Sequence, residues 1–273
     1  MRLNGTSAIL FLLSAVAVFF TIFPLFWMIK VSLNSQVDAL ALPPRWAADL
    51  TVRAYLDVWT TRSFVSSLLN SIIVALMALV VSMILGLFGA YAFARYRFPG
   101  SQLLLFGLLA TRIFPPVALI VPFFFILNQI GLRDSHFGLA LAYIALDTPL
   151  AIWMLKGYFE SIPRTLEDSA MVDGATRLQA VARITLPLMA PGIVATSIFI
   201  FVLSWNEFLF ALILTGSDAR TLPIVIAEYV GDSGVEWPQI MASSTIALAP
   251  VLFMTFVLQK HLATGLTGGA IKG

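Results

Sequence analysis

Several uninterrupted apolar runs constrain what this chain can fold into more than any other feature. Each is about 20 residues long, the length that an α-helix needs to cross a hydrocarbon core of roughly 30 Å. Backbone groups in lipid find no water, so such runs satisfy their hydrogen bonds within helices, whereas the strands of a transmembrane barrel would alternate. Because 60% of the residues are apolar and 11% are charged, we predict an all-α membrane protein.

We predict a single transmembrane domain over residues 1–273 with six spanning helices. The predicted spans are about 8–31, 68–94, 103–127, 137–155, 193–214 and 241–258. Pro115, Pro116 and Pro122 lie in the third span and predict a kink or a break, because proline removes a helical hydrogen bond. The first span is longer than the apolar core of a signal peptide, so we expect it to be retained as an anchor.

The basic residues indicate the orientation of the chain. With the N-terminus inside, nine Lys and Arg residues fall on the cytoplasmic side and six on the opposite side. The positive-inside rule therefore predicts that both termini and the 156–190 connection are cytoplasmic. Two long connections, about 33–67 and 215–239, then lie on the outer side.

A polar stretch from Arg164 to Gly192, named the charged segment below, interrupts the apolar sequence. Pro163 suits the first turn of a helix, and the helix dipole favours the acids Glu167 and Asp168 in its first turns. Gly174 is typical of a helix end in the left-handed conformation. We expect the charged segment to form a surface that a soluble partner binds. The alternative is a pair of amphipathic helices that lie on the membrane surface.

Spacing places small and acidic residues on one face of this predicted helix. The face comprises Leu166, Ser169, Ala170 and Asp173. These positions recur at helical intervals, so another protein could approach them closely. Thr176 is a typical cap for a second short helix, which we expect to halt near Pro187 and Pro191.

Catalytic chemistry has little support in the sequence. The chain contains no cysteine, and His136 and His261 are far apart, so we predict neither a thiol nucleophile nor a metal site. The motifs GxSxG, GxGD and GxxxxGK with a following Ser or Thr are absent, so we expect no intramembrane protease and no ATP site. A net charge of +2 gives no indication of nucleic acid binding.

One pattern within the charged segment is more specific. Asp168-Ser169-Ala170 is followed by Gly174, and then by Ile184 and Leu186-Pro187. This pattern resembles the EAA motif of the membrane permeases of binding-protein-dependent ABC importers. The motif has glutamate and alanine where this chain has Asp168 and Ser169, and both exchanges keep charge and small size. Glu167 just before them is a candidate second acid.

Further matches extend over essentially the whole chain. They are Asn70-Ser71, Ala90 to Arg95, Phe98-Pro99-Gly100, Ala170 to Ala175, Trp205 to Phe208 and Gly265 to Gly273. These stretches are similar to the carbohydrate-importer subgroup, and within it to the smaller, six-helix subunit of maltose-type permeases. The resemblance implies six transmembrane helices with a cytoplasmic EAA coupling helix between helices 4 and 5.

The resemblance implies a transport subunit and not an enzyme. It would move a sugar, oligosaccharide or polyol by alternating access, driven by ATPases that grip the EAA helix. The implied partners are a second permease in a heterodimer, an ATPase dimer, an extracytoplasmic sugar-binding protein and membrane lipid. ATP and Mg²⁺ would be bound by the ATPases, with no cofactor on this chain. The implied location is a bacterial or archaeal cytoplasmic (inner) membrane.

The resemblance also implies contact residues. Those that couple to the ATPases are Glu167, Asp168, Ser169, Ala170, Asp173, Gly174, Ala175, Ile184 and Pro187. Those that meet the binding protein are Gly231, Asp232, Ser233, Gly234, Glu236 and Trp237, for which a plain surface turn is the alternative. Those of a tail that reaches the ATPases are Thr267, Gly268, Gly269 and Lys272.

Polar residues inside predicted spans are candidates for a substrate path, because their burial in lipid is unfavourable. The candidates are Trp205, Asn206, Glu207 and Arg112. An amide, a carboxylate and an aromatic face suit the hydroxyl groups and apolar face of a sugar, and hydrogen bonding between helices is the alternative. Arg112 and Asp147 would form a pair if the fold brings them together.

An ion-coupled secondary transporter is the rival prediction from another class. Carriers of that kind usually show inverted repeats and more spans, and they have no need for an EAA motif. No internal repeat is evident in this sequence. The importer is therefore the favoured prediction.

Overall fold

The computed structural model describes residues 5–46, 49–231 and 234–269, which are mostly helical. The helices are α1 (Gly5–Ser32), α2 (Gln36–Ala39), α3 (Arg53–Thr60), α4 (Arg62–Arg95), α5 (Ser101–Ala110), α6 (Pro116–Gln129), α7 (His136–Ser161), α8 (Thr165–Val172), α9 (Arg177–Ala180), α10 (Leu186–Leu188), α11 (Ala190–Trp205), α12 (Leu209–Leu214), α13 (Leu222–Glu228) and α14 (Trp237–Gly269). A π-helical turn (Val181–Thr185) joins α9 to α10, and two short strands, β1 (Val230–Gly231) and β2 (Gly234–Val235), pair antiparallel. The predicted all-α membrane class is confirmed.

Among the described residues, four helices are long and apolar enough to cross a bilayer, namely α1, α4, α7 and α14. A fifth candidate is the bent pair Arg177–Leu188 and Ala190–Trp205, whose parts meet at 75°. The count of six spans stays a prediction. In the most apolar window of α1, 0% of the residues are buried among the described residues.

The predicted third span is broken, as its prolines indicate. α5 ends at Ala110 and α6 begins at Pro116, where the missing amide donor of proline is harmless in the first helical turn. Residues 111–115 between them form turns, and Arg112 lies among them. The predicted kink or break is confirmed.

The predicted fifth span is interrupted as well, which the sequence did not reveal. α11 ends at Trp205, and α12 begins only at Leu209. The Glu207 carboxylate accepts hydrogen bonds from the backbone amides of Phe210 at 2.9 Å and Ala211 at 3.1 Å. These are donors that the start of a helix leaves unsatisfied. Glu207 therefore starts a new helix and does not lie in the middle of a continuous one.

Helices α4, α6, α7 and α12 share an apolar core. Its buried members include Val74, Ile120, Leu139, Tyr143 and Phe210. α7 also packs along α11. At that contact a Cβ atom on Gly192 would lie 2.3 Å from the ring of Tyr158, so the close approach of the two helices requires glycine.

Backbone contacts divide the described residues into two compact units. One lies within Met1–Ser66 and Val225–Ala249, and the other within Ser67–Ile224 and Pro250–Gly273. The apolar core and the charged segment belong to the second unit. The first unit contains the hairpin of β1 and β2, which carries the predicted outer-loop residues.

Candidate functional site

The first helix of the charged segment, α8, begins at Thr165 and not at the predicted Pro163. The Pro163 carbonyl accepts the Leu166 amide at 3.3 Å, so proline opens a tight turn that leads into the helix. The Arg164 carbonyl then accepts the amides of Glu167 and Asp168, both at 3.0 Å. These bonds explain the start of α8 directly after Arg164.

The end of α8 is set by glycine, as predicted. Gly174 has a φ of +90°, a conformation that residues with a Cβ atom adopt at a cost. Its amide donates to the Met171 carbonyl at 3.1 Å, and the Ala175 amide donates to the Ala170 carbonyl at 3.0 Å. Together these bonds form a Schellman motif, which satisfies the last carbonyls of a helix. The predicted left-handed helix end at Gly174 is confirmed.

The predicted cap at Thr176 is also confirmed. The Thr176 hydroxyl accepts the Gln179 amide at 3.3 Å, and the Gln179 side chain accepts the Thr176 amide at 2.8 Å. This reciprocal pair is a capping box. The π-helical turn that follows was not predicted; such turns hold an extra residue and often occur at functional positions.

The outer face of the charged segment presents exposed acids beside exposed apolar side chains. Asp168, Ser169 and Asp173 are exposed, and the side chains of Val172 and Leu178 are 87% and 73% exposed. Apolar groups that are exposed together and rimmed by polar ones mark interaction sites. Of the other predicted coupling residues, Gly174 and Pro187 are exposed, whereas Ala170, Ala175 and Ile184 are half-buried.

Glu167 needs a correction, because its side chain lies on the inner side of α8. It is 5% exposed and is the buried residue of this helix. Arg95 Nε and the Thr185 hydroxyl each donate to Glu167 Oε1 at 2.9 Å. A carboxylate engaged in this way within the chain does not present a second acid to a partner. Consecutive helical residues point about 100° apart, so Asp168 is exposed while Glu167 is not.

Arg112 and Asp147 meet at the edge of a cavity in the second unit. Arg112 Nη1 lies 3.2 Å from Asp147 Oδ1, which confirms the pair, and the Ser204 hydroxyl donates to Asp147 Oδ2 at 2.8 Å. The cavity has a volume of about 310 Å³. Its lining comprises Thr111, Arg112, Phe114, Pro116, Leu119, Tyr143, Leu146, Asp147, Leu203, Ser204, Glu207 and Phe210. The Arg112 side chain remains 31% exposed.

Two of the four predicted path residues, Arg112 and Glu207, line this cavity. The Tyr143 hydroxyl donates to Glu207 Oε2 at 2.9 Å. Trp205 is 4% exposed and stacks on the ring four residues before it. The Asn206 amide donates to the backbone carbonyl four residues earlier. Trp205 and Asn206 therefore lie outside the lining and make structural contacts.

The outer-loop candidates surround the short hairpin. Gly231 and Gly234 pair with each other across the strands, and the exposed Glu236 and Trp237 follow. The Glu236 amide donates to the Tyr229 carbonyl at 3.0 Å, which extends the hairpin by one bond. Asp232 and Ser233 lie outside the described residues. Both the contact with a binding protein and the plain surface turn remain predictions.

The tail candidates divide between described and undescribed residues. Thr267, Gly268 and Gly269 form the last turn of α14. Lys272 lies outside the described residues. Contact of this tail with ATPases stays a prediction.

A polar cluster just before the start of α7 was not predicted. Asp134, whose φ is +55°, accepts the backbone amides of Gly216 at 2.7 Å and Ala219 at 3.0 Å. Burial alone would raise the pKa of Asp134, but the bonds from the Ala219 and Gly216 amides outweigh it and hold the pKa below its ordinary value of 3.8. This carboxylate therefore anchors the loop after α12.

Asn70 binds the same loop from α4. Its amide donates to the carbonyls of Asp218 and Arg220 at 3.0 and 2.9 Å. Its oxygen lies 2.7 Å from His136 Nε2, so that nitrogen is the donor. The partners are 66 to 150 positions apart in the chain, and no local pattern in the sequence signals them.

Fold and sites together define a class of protein. It is a helical membrane protein with interrupted helices beside a cavity that has charged residues in its lining, and with a charged segment between apolar helices. Interrupted helices lining a cavity are typical of membrane transporters. The chain belongs to the family of binding-protein-dependent transport system inner membrane components, whose pattern matches residues 82–268. The match includes both the cavity and the charged segment.

Similar proteins agree with this family over the length of the chain. The trehalose transport system permease protein SugB of Mycobacterium tuberculosis is 37% identical over 267 residues, 96% of each chain. The trehalose/maltose transport system permease protein MalG of Thermococcus litoralis is 35% identical over 256 residues, 92% of each chain.

The fold is likewise similar to a chain of the crystal structure of a bacterial ABC transporter involved in the import of the acidic polysaccharide alginate. The TM-score is 0.74 at 23% identity, covering 94% of this chain and 98% of that one. This chain is thus a permease component of the inner membrane, and the comparisons give no support to the ion-coupled alternative.

Proposed function

We propose that this chain is the permease subunit of an ATP-driven importer that moves a carbohydrate by alternating access. The observation that carries the proposal is the similarity to permeases for trehalose and for trehalose or maltose over more than nine-tenths of each chain. The partners are a second, dissimilar permease, an ATPase dimer that binds ATP and Mg²⁺, and an extracytoplasmic sugar-binding protein. Both termini and the charged segment face the cytoplasm.

The outer face of α8 docks on an ATPase. Asp168, Ser169 and Asp173 provide acids and a small residue, and Val172 provides an exposed apolar contact. A helix that rests on a membrane surface is usually rich in Lys and Arg on its polar face, whereas α8 has none. This difference supports a protein partner over lipid.

The cavity contributes to the substrate path. A volume of about 310 Å³ lies at the lower end of the roughly 300–1,000 Å³ range of ligand pockets. The Arg112 guanidinium offers donors, Glu207 offers acceptors, and Phe114 offers an aromatic face. These groups suit the hydroxyl groups and apolar face of a sugar ring.

The test is uptake by the complete transporter in proteoliposomes that contain ATP. We expect uptake of radiolabelled trehalose or maltose and ATP hydrolysis that is stimulated by the loaded binding protein. The pair of changes Asp168→Lys and Gly174→Asp is expected to abolish both, whereas Glu160→Gln, which removes an exposed carboxylate outside α8, is expected to preserve them. Uptake that collapses with the proton gradient at constant ATP would instead identify an ion-coupled carrier.

A further inference from the structure

We propose that Arg95, Glu167 and Thr185 form an internal fastening that makes α8 move as one body with the membrane helices. The inference rests on the proposed function, because it assumes that α8 receives the motion of an ATPase. It concerns the inner side of α8, away from the exposed acids. The three residues are positioning residues that contact neither substrate nor ATPase.

The first observation is the burial of an ion pair where an apolar pair would suffice. The side chains of Arg95 and Glu167 are 4% and 7% exposed. Taking two charges out of water is costly, and well-packed apolar residues of similar volume often give equal or greater stability. Stability alone therefore gives no reason for charges at these two positions.

The second observation is that several chain segments converge on one carboxylate. Arg95, the last residue of α4, approaches Glu167 Oε1 with Nη2 at 2.8 Å and Nε at 2.9 Å. Thr185, the last residue of the π-helical turn, is fully buried and donates to the same oxygen at 2.9 Å. Arg95 Nη2 also donates to the Ile162 carbonyl, in the link from α7 to α8, at 3.2 Å. The ends of α4 and of the π-helical turn are thus bonded to α8, and Arg95 also bonds the link between α7 and α8.

The third observation concerns the membrane helices that these hydrogen bonds connect to α8. Thr185 precedes α10, and the chain then bends by 75° into α11, which packs along α7. On the other side, Arg164 Nη2 donates to the Ala94 carbonyl at 2.5 Å, which adds a bond between the start of α8 and α4. These bonds therefore connect α8 directly to α4, and through the π-helical turn and α10 to the start of α11.

The chemistry of these bonds determines what they transmit. Charge-assisted hydrogen bonds are short and directional, so a displacement of α8 by more than about an ångström relative to α4 breaks them. Apolar contacts are non-directional and allow neighbouring elements to slide. The fastening therefore transmits a displacement of α8 to α4 and α11. Apolar contacts at the same place would let α8 slide and would transmit less of the displacement.

The test measures whether ATP still changes access to the cavity. Because the chain contains no cysteine, Thr111→Cys in the cavity lining provides a single site in this chain for a membrane-impermeant maleimide. The labelling rate is measured in the complete reconstituted transporter, with and without trapping by ATP and vanadate, and ATP hydrolysis is measured in parallel. Labelling without the Thr111→Cys change gives the background from the partner chains.

The decisive variant replaces both charges, Arg95→Met with Glu167→Leu, so that no buried charge is left unpaired. We expect the complex to assemble and hydrolyse ATP, while the ATP-dependent change in labelling falls at least about fivefold, the lower end of typical coupling between sites. Glu160→Gln serves as the matched control and is expected to keep the full change. A double variant that keeps the full change would overturn the fastening.

Two single changes keep the inference testable if the double variant does not assemble. Thr185→Val removes one donor at nearly constant volume, and Glu167→Gln removes the charge. A reduced change in labelling for both supports the fastening, and a full change for both contradicts it. If the otherwise unchanged transporter shows no ATP-dependent labelling at all, the proposed function fails instead, and the two failures are thereby distinguished.

Discussion

Two arginine–carboxylate pairs in this chain share their chemistry and differ in exposure. Beneath the charged segment, the side chains of Arg95 and Glu167 are 4% and 7% exposed. At the cavity, Asp147 is 6% exposed but its partner Arg112 is 31% exposed. The first pair is closed within the protein, whereas the second leaves a cation beside an open volume. Exposure of one partner therefore distinguishes a pair that holds elements together from a pair that can contact a ligand.

Removal of one partner from the closed pair should have the largest effect on stability. Arg95→Ala leaves Glu167 buried with only hydroxyl donors, Thr185 and Tyr91. We expect a loss of about 3–5 kcal/mol in the free energy of unfolding, the range measured for buried pairs that lose one partner. Thermal unfolding in detergent checks it, with Arg53→Ala as the control in an exposed pair. Equal melting temperatures for the two variants would show that the buried pair contributes nothing.

The open pair should affect transport more than stability. Arg112→Met leaves Asp147 with its bond from Ser204 at the edge of an open cavity, where water can take the place of the guanidinium. We therefore expect a smaller loss of stability than for Arg95→Ala. Sugar uptake should fall about tenfold, corresponding to about 1.4 kcal/mol, because the exposed donors are removed from the cavity. Uptake and melting temperature are measured on the same preparations. Unchanged uptake would remove Arg112 from the substrate path.

A substitution that strains the backbone tests the outer face of the charged segment without altering either arginine–carboxylate pair. Gly174→Ala adds a Cβ atom at a φ of +90° with nothing within 4 Å, so the expected cost of about 1–2 kcal/mol is conformational strain alone. We expect a displaced end of α8 and weaker stimulation of ATP hydrolysis. Gly157→Ala is the matched control, since it also has open space but lies within α7 at an ordinary φ. Equal stimulation in the two variants would contradict a role for this helix end.

The smallest effect concerns a carboxylate that is held by backbone amides instead of arginine. The pKa of Asp134 lies below 3.8 because the amides of Ala219 and Gly216 outweigh the effect of burial. Its contribution to stability is therefore present above pH 3.8 and lost as the pH falls through the lower pKa of the folded protein. The difference in melting temperature between the unchanged protein and Asp134→Asn should shrink on acidification over this range. A difference that stays constant would contradict the shift.

Local patterns predicted the features that depend only on neighbouring residues. The apolar runs indicated membrane helices, the prolines around Pro116 indicated a break, and the left-handed end at Gly174 and the cap at Thr176 followed from residue type. Each of these features is settled within one or two turns of backbone. The break before α12 escaped prediction because Glu207 resembles any polar residue in a span until its carboxylate is seen to accept the amides of the next turn.

Residue types and their spacing were enough to predict the helical membrane class, the family resemblance and the end of α8 at Gly174. Tertiary packing selected Glu167 as the acid of α8 that faces inwards, because its partner Arg95 is 72 positions away. It likewise decided the pairing of Arg112 with Asp147, 35 positions apart, and the contact of Asn70 with His136, 66 positions apart. Burial of a polar group depends on what packs around it, and distant residues supply that packing only once the chain has folded.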